Sequence, residues 1–125
     1  MPMTHGETIA AYSAAWNEPD GARRAALLDR VWADGATYTD PAVHAMGAAQ
    51  LSAHVDAVLA RFPGSRVVLT SAIDAHHGLA RFGWRRVLAD GTERPEGIDF
   101  AEFAPDGKLA RIVGFFGPLR APGRS

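Results

Sequence analysis

Apolar residues in the first half of the chain recur every three or four positions, which is the period of an amphipathic helix. Thr4 and Glu7 have the spacing of a capping box ahead of the first such run. Two further runs follow, at about residues 22–32 and 47–62. Segments containing Pro, Asp and Gly separate the runs. The pattern therefore predicts three helices.

The pattern of the second half has a period of two, which is typical of strands with one buried face. Turn signals, Asp90-Gly91 among them, divide this half into four segments. The segments are 65–77, 79–89, 97–104 and 109–117. We expect these segments to form four long strands in an antiparallel meander.

A shorter strand is predicted at residues 36–40, in the sequence ATYTD. The preceding segment ADGA should end the second helix, with Gly35 as a left-handed cap. The element order is then α-α-β-α-β-β-β-β, and helices followed by a run of strands indicate an α+β domain. We expect one domain over residues 1–125, with its core at about 5–118 and a frayed tail at 119–125.

The composition is that of a soluble globular protein, with 47% apolar and 22% charged residues. A formal net charge of −1 gives no indication that nucleic acid or an anionic membrane is a partner. The sequence has no cysteine, which excludes disulfides and thiolate nucleophiles. We find no signal-peptide pattern and no apolar run long enough to span a bilayer, so we expect a cytoplasmic protein.

The predicted short strand ends in Asp40-Pro41, which is the first feature with possible chemistry. One interpretation is structural, because Asp and Pro commonly follow strands in turns. The other is functional, because a carboxylate at the mouth of a pocket can move protons. A second acid, Asp99, lies in a later strand segment on the same predicted face as Ala101 and Phe103.

The element order, the Asp-Pro pair and the ending F-x-PDGK-(x4)-V-G-F-F-G resemble the nuclear transport factor 2-like superfamily, and more narrowly the SnoaL-like proteins. The resemblance covers about residues 5–118. It implies a cystatin-like, conical barrel in which three helices close a strongly curved antiparallel sheet around a deep apolar cavity. It also implies a homodimer formed through the sheet.

Within that superfamily the chain is similar to ketosteroid isomerase at three polar positions. The resemblance implies that Asp40, in ATYTDP, is a general base. It also implies that Tyr12, in AYSAAW, and a protonated Asp99, in GIDFAEF, donate hydrogen bonds to an oxyanion. Two tyrosines that support the oxyanion-hole tyrosine in that family are replaced here by Trp32 and Val55.

Two carboxyl groups in one apolar cavity can divide the roles of acid and base, because desolvation raises a carboxyl pKa and can keep one group neutral. A base opposite two hydrogen-bond donors permits enolisation of a bound carbonyl compound. His44, in the loop after Asp40, could line the mouth as an auxiliary acid or base. The candidate walls are Trp16, Trp32, His44, Val58, Phe62, Phe82, Trp84, Phe103, Ile112 and Phe116.

We therefore expect a cofactor-independent isomerase, similar to ketosteroid isomerase, that acts on an apolar, carbonyl-bearing molecule. Polyketide cyclisation or epoxide hydrolysis is an alternative reaction, and a non-catalytic ligand-binding domain is a further alternative. The sequence has no Gly-rich phosphate loop and no His-x-His or His-x-x-x-His grouping, so we expect no cofactor and no metal. An inward-facing Arg86 beside Trp84 would instead indicate an anionic ligand, or an Asp–Arg pair that activates water like that of limonene epoxide hydrolases.

Overall fold

A computed structural model describes residues 3–123, which form three helices and one seven-stranded sheet. The helices are α1 (His5–Trp16), α2 (Gly21–Val31) and α3 (Gly47–Arg61). The strands are β1 (Trp32–Asp40), β2 (Val43–Met46), β3 (Arg66–Leu69), β4 (Asp74–His76), β5 (Leu79–Val87), β6 (Gly97–Phe103) and β7 (Leu109–Phe116). Within this part of the chain, no helix has the length and apolar character needed to cross a membrane.

Local hydrogen bonds fix the starts of the first two helices. The capping box predicted for α1 is confirmed, since the Thr4 hydroxyl accepts from the Glu7 amide and the Glu7 carboxylate accepts from the Thr4 amide. Asp20 caps α2 by accepting from the Arg23 amide at 3.0 Å. These caps satisfy backbone amides that have no partner within the helix and so stabilise the first turn of each helix.

A fully buried arginine joins α2 to α3. The Arg24 guanidinium donates to the carbonyl and hydroxyl of Ser52 and to Asp56 Oδ1, the last at 2.8 Å. It also donates to the Glu18 carbonyl in the connection that precedes α2. Because every part of this cation has a partner, its burial supports the helix packing instead of opposing it.

The strands lie in the order β2-β1-β7-β6-β5-β3, and β4 pairs with the other end of β5. The α+β class, the three helices and the curved sheet are confirmed. The sheet is mixed, however, because β1 runs parallel to β7, and it is not closed into a barrel. Alternation along a strand identifies its faces but not its distant neighbour, so the sequence did not indicate the parallel pair.

Two element boundaries differ from the prediction near the first strand. Strand β1 begins at Trp32, so Gly35 does not cap α2. Gly35 has a φ of 71° and lies where the register between β1 and β7 shifts. Residues 43–46, expected to be irregular, form β2 and pair with β1. Asp40 therefore ends one arm of a hairpin, not an isolated strand.

The predicted strand at 65–77 is divided into β3 and β4, which pair with opposite halves of β5. Between them the chain leaves the regular ladder. There the Thr70 amide donates to the Gly83 carbonyl, and the Ser71 hydroxyl accepts from the Gly83 amide at 2.7 Å. Residues 119–123 of the predicted tail contain no helix or strand, and the last two tail residues lie outside the described range.

The inner face of β5 and β6 follows the predicted alternation. Ala80, Phe82 and Arg86 on β5 are buried, as are Asp99 and Ala101 on β6. Phe82 lies opposite Asp99 in the register of these two strands. The core therefore occupies the space between this face and the helices, and the buried residues on this face include the charged side chains Arg86 and Asp99.

Candidate active site

A cavity of about 330 Å³ lies between the inner face of the sheet and helices α1 and α3. Most of the wall surface is aromatic or aliphatic, and nine side chains with polar or charged groups also line it. These polar residues include Tyr12, Ser13, Tyr38, Asp40, His54, Arg61, Arg86, Arg94 and Asp99. The structure thus brings Tyr12, Asp40 and Asp99 to one cavity, although they lie far apart in the sequence.

The two carboxylate oxygens of Asp40 have different surroundings. Oδ1 accepts from the amides of Ala42 and Val43, at 2.8 and 3.1 Å, and so closes the turn between β1 and β2. Oδ2 accepts from the Tyr38 hydroxyl at 2.7 Å. The Asp40 side chain is only 4% exposed. The structural and functional interpretations of Asp-Pro are therefore compatible, since one oxygen serves the turn while the residue lines the cavity.

Asp99 is buried in the middle of β6, with one defined donor. Trp84 Nε1 donates to Asp99 Oδ1 at 2.9 Å. Burial raises the pKa of Asp99 to about 7, the Trp84 hydrogen bond opposes the shift, and the negative charge of Asp40 adds to it. Near neutral pH this carboxyl group is therefore protonated in a substantial fraction of molecules.

Two glycines leave the space that Asp99 and Trp84 occupy. A Cβ on Gly97 would lie 2.5 Å from Trp84 Cζ2, so the indole can lie across β6 only because that position has no side chain. A Cβ on Gly114, opposite Asp99, would lie 2.8 Å from Asp99 Oδ1. The same point is 3.6 Å from the Tyr38 hydroxyl oxygen and from Asp40 Cβ, which shows how closely these groups approach.

Tyr12 extends from α1, and no described residue forms a hydrogen bond with its buried hydroxyl. Burial raises its pKa well above the usual value, the charge of Asp99 adds to the shift, and the nearby Trp16 indole opposes it. Trp32 stacks on the Tyr12 ring with centroids 5.7 Å apart, and, unlike Tyr12, it does not line the cavity. With tryptophan there, the hydroxyl lacks the tyrosine partner that the resemblance implied.

Tyr38 and His54 belong to the cavity but were not among the predicted site residues. Tyr38 precedes Asp40 by two on β1, so strand alternation could have placed it on the same face. Burial raises its pKa, with smaller contributions from Tyr12, Asp99 and Asp40. His54, on α3, has Nε2 3.9 Å from Asp40 Oδ2 and packs edge-on against Trp16. The helical pattern alone did not indicate which way His54 points.

Arg86 faces the cavity, as one of the sequence-based alternatives required. It is 7% exposed and donates to the Ser65 hydroxyl at 2.8 Å. Burial lowers its pKa. Among residues 3–123 it forms no ion pair with Asp40 or Asp99, so the geometry does not provide the Asp–Arg pair of the hydrolase alternative.

The remaining predicted wall residues divide into two groups. Trp16, Val58, Phe62, Phe82, Trp84 and Phe116 line the cavity. Four others do not, which corrects the prediction: Trp32, Phe103, Ile112 and His44. Alternation identified the inner face of the strands but not the end of the sheet where the cavity lies.

Each of these four residues has another position in the fold. Ile112 and Trp32 are part of the packed core. Phe103 stacks on His5, with ring centroids 3.9 Å apart. His44 is exposed on β2, next to the buried Ala45, and bonds to the Thr39 hydroxyl at 2.7 Å. Across the described residues, no cluster of three or more His, Cys, Asp or Glu side chains could hold a metal ion.

A family model for the SnoaL-like domain matches residues 9–112, which is most of the chain. The chain belongs to the SnoaL-like domain family. A comparison with curated proteins finds no match.

Solved structures similar to this SnoaL-like chain have the same fold. A candidate isomerase of the SnoaL-like family from Agrobacterium tumefaciens str. C58 is 34% identical, with a TM-score of 0.86, over 91% of this chain and 97% of that one. A protein with a ketosteroid isomerase-like fold from Catenulispora acidiphila DSM 44928, in complex with trimethylamine, is 14% identical, with a TM-score of 0.71, over 89% and 85%. A candidate SnoaL-like polyketide cyclase from Jannaschia sp. CCS1 is 14% identical, with a TM-score of 0.65, over 86% and 83%.

Proposed function

We propose that this SnoaL-like protein is a cofactor-independent enzyme that transfers a proton on an apolar, carbonyl-bearing substrate, as ketosteroid isomerase does. The observation that carries the proposal is the convergence of Asp40, Asp99 and Tyr12 in one largely apolar cavity. Apolar walls strengthen electrostatic interactions inside the cavity and exclude competing water.

Asp40 is the proposed base. An ionised carboxylate has about four acceptor sites, and three of those of Asp40 are used by Tyr38, Ala42 and Val43. One site remains to accept a proton from a carbon acid. The hydrogen bonds hold the carboxylate in one orientation, which favours a defined approach of the substrate.

Tyr12 and Asp99 are the proposed donors to the carbonyl oxygen. The high pKa of Tyr12 keeps its hydroxyl protonated, and no described residue already uses that proton. Asp99 accepts from Trp84 through Oδ1, which leaves Oδ2 to carry a proton. Each such donor typically contributes about 10²–10³ in rate when it is aimed at developing negative charge.

The reaction has a simple proton balance. Asp40 removes a proton from the carbon next to the carbonyl, and the electron pair moves to the carbonyl oxygen to form an enolate. Tyr12 and Asp99 hold that oxygen while the charge is present. Asp40 then returns the proton to a more distant carbon of the conjugated system, so that the double bond shifts and the enzyme is regenerated.

The proposal is tested with a β,γ-unsaturated ketosteroid and with cyclohex-3-enone, whose conjugated products absorb in the ultraviolet. We expect wild-type protein to convert at least one of them and Asp40→Asn to lose that activity. Glu102→Gln, on the exposed face of β6, is the matched carboxyl control and should retain it. Tight binding without turnover, unaffected by Asp40→Asn, would indicate a binding domain and overturn the proposal.

Aldol cyclisation is a related reaction that begins with the same enolate. In this reaction the enolate carbon attacks a second carbonyl group instead of taking up a proton, and the proton that Asp40 removed goes to the resulting alkoxide oxygen. Asp40, Tyr12 and Asp99 have the same roles up to the enolate. A polyketide-like substrate with a second carbonyl group would distinguish the two reactions. Cyclisation followed by loss of water gives a product lighter than the substrate, whereas a double-bond isomer has the same mass, and the two products also differ in spectrum.

A further inference from the structure

The cavity contains a buried positive charge that the proposed proton transfer does not use. Arg86 is 7% exposed, and its only side-chain hydrogen bond to a described residue goes to the neutral hydroxyl of Ser65. No carboxylate within residues 3–123 forms an ion pair with it. Burial of a cation without a counter-charge is costly, so a negative group that enters the cavity would be stabilised there.

Other arginines of the same strand are paired. Arg81 donates to Asp74 and Arg85 to Glu93, each at 2.9 Å. Both alternate with the inward-facing residues of β5 and so belong to the outer face. The lack of an acidic partner among the described residues therefore distinguishes Arg86, the one arginine of β5 that faces the cavity, from its neighbours.

Two more arginines extend this positive region to the cavity mouth. The Arg94 amide donates to the Arg86 carbonyl at 2.9 Å, which places residue 94 beside residue 86. The guanidinium groups of Arg94 and Arg61 lie 5.3 and 5.1 Å from the centre of the Phe62 ring. Both line the cavity and both are exposed. An approaching anion would therefore meet a cationic, aromatic mouth before it reached Arg86.

Along the sheet, the backbone of Arg86 lies away from that of Asp99, while the Arg86 guanidinium still interacts electrostatically with Tyr38. Asp99 lies opposite Phe82, and Arg86 is four residues further along β5. At about 3.3 Å per residue, the Cα atom of Arg86 is about 13 Å along the strand from the Cα atom of Phe82, which lies beside Asp99. Trp84, two residues from each of Phe82 and Arg86, lies on the inner face between them. A ligand that contacts both Asp99 and Arg86 therefore has a carbonyl group at one end, an apolar body, and a negative group at the other end.

We propose that Arg86 determines substrate specificity by binding an anionic group, so that the substrate is an apolar carbonyl compound that also carries a carboxylate, sulfonate or phosphate. The carbonyl part of this inference rests on the proposed function, whereas the anion-binding part rests on Arg86 and the mouth. A planar guanidinium suits this role because its donors match two oxygens of one oxyanion at once.

The test compares two fluorescent probes that share one skeleton. 8-Anilinonaphthalene-1-sulfonate carries a sulfonate, and N-phenyl-1-naphthylamine lacks it. We expect wild-type protein to bind the sulfonate probe at least about 10-fold more tightly, because hydrogen bonds between a guanidinium and an anionic oxygen are among the strongest in proteins. Arg86→Met should abolish this preference without weakening the neutral probe. Arg81→Met, on the outer face of β5, should leave it intact.

Equal binding of the two probes to wild-type protein, or an unchanged preference in Arg86→Met, would overturn the inference. If Arg86→Met does not fold, Arg86→Lys supplies the answer, since it keeps one charge but loses the two-donor fork and should show an intermediate preference. Competition by 2-naphthoate and by 2-naphthyl phosphate identifies the preferred oxyanion. Wild-type protein that prefers the sulfonate probe but never exchanges a ketone proton would support the anion site and contradict the proposed function.

Discussion

The Trp84 indole donates a hydrogen bond to Asp99 Oδ1 at 2.9 Å, which gives the buried carboxyl group its only side-chain donor among the described residues. This bond favours the ionised form of Asp99 and opposes the larger effect of burial. Trp84 can reach Asp99 because Gly97 leaves room for the indole ring. The pair therefore sets the pH range over which Asp99 can act as a hydrogen-bond donor.

Replacement of Trp84 by Phe should extend activity to higher pH. In wild-type protein the donor form of Asp99 is lost as the pH rises through about 7, so kcat/KM should fall above that value. Removal of the indole donor raises the pKa of Asp99 further, which moves this descending limb upward. The measurement is a pH–rate profile, with Trp16→Phe as a control in the same cavity. A limb that stays in place or moves down would contradict the assignment.

Asp99 should also make the folded state less stable as the pH rises from about 4 to about 7. Its folded pKa lies above the unfolded value, so within this window the unfolded state binds fewer protons and the free energy of unfolding decreases. The full effect is up to about 4 kcal/mol, because each tenfold change in proton affinity corresponds to about 1.4 kcal/mol. Asp99→Asn should lack this contribution. Its free energy of unfolding, measured by urea titration at several pH values, should therefore vary less with pH than that of the wild-type protein. Parallel curves for the two proteins would disprove it.

Replacement of Arg24 by Met should destabilise the fold by about 1–3 kcal/mol, because it leaves part-buried acceptors without their donor, whereas the Asp56 side chain is 64% exposed and is solvated by water. The substitution removes the donors that Ser52, Asp56 and the Glu18 carbonyl use. Thermal or urea unfolding measures the change. Arg23→Met is the matched control, because the Arg23 side chain is 79% exposed. Equal effects of the two substitutions would show that Arg24 does not hold the helices together.

We expect the protein to form a homodimer through the outer face of the sheet. Phe100 and Phe115 lie there on neighbouring strands, are 44% and 56% exposed, and pack edge-to-face with centroids 6.0 Å apart. Exposed apolar patches of this kind commonly mark interfaces. Light scattering should give twice the chain mass for wild-type protein and a monomer for Phe100→Glu. Leu119→Glu, which changes an exposed residue away from the sheet, should remain dimeric; a monomeric wild-type protein would refute the expectation.

The sequence predicted most of the fold because period and turn residues are local signals. Three helices, the inner face of β5 and the capping box at Thr4 all follow from spacing within a few residues. The parallel pairing of β1 with β7 and the division of 65–77 depend on distant neighbours, and no local pattern records them. Residues 43–46 form a strand because they pair with β1, and the sequence did not indicate this pairing either.

The candidate site was predictable only in part for the same reason. Asp40 was singled out because it precedes Pro41 at the end of a strand, and Asp99 because it lies between Ile98 and Phe100 in a strand. Their roles as base and donor came from the resemblance to ketosteroid isomerase. Tyr38 could have been found by counting two positions back from Asp40. The orientation of His54 and the positions of His44 and Phe103 depend on which end of the sheet the helices leave open, and this is a property of the whole packing.

The central claim, that Asp40 removes a proton from a carbon acid, is tested most directly by hydrogen exchange. A ketone that binds the protein is incubated in deuterium oxide, and loss of its α-proton signal is followed by nuclear magnetic resonance. The account predicts exchange by wild-type protein that is at least about 100-fold faster than by Asp40→Asn, with unchanged ketone binding. Equal exchange rates for the two proteins at equal occupancy would contradict it.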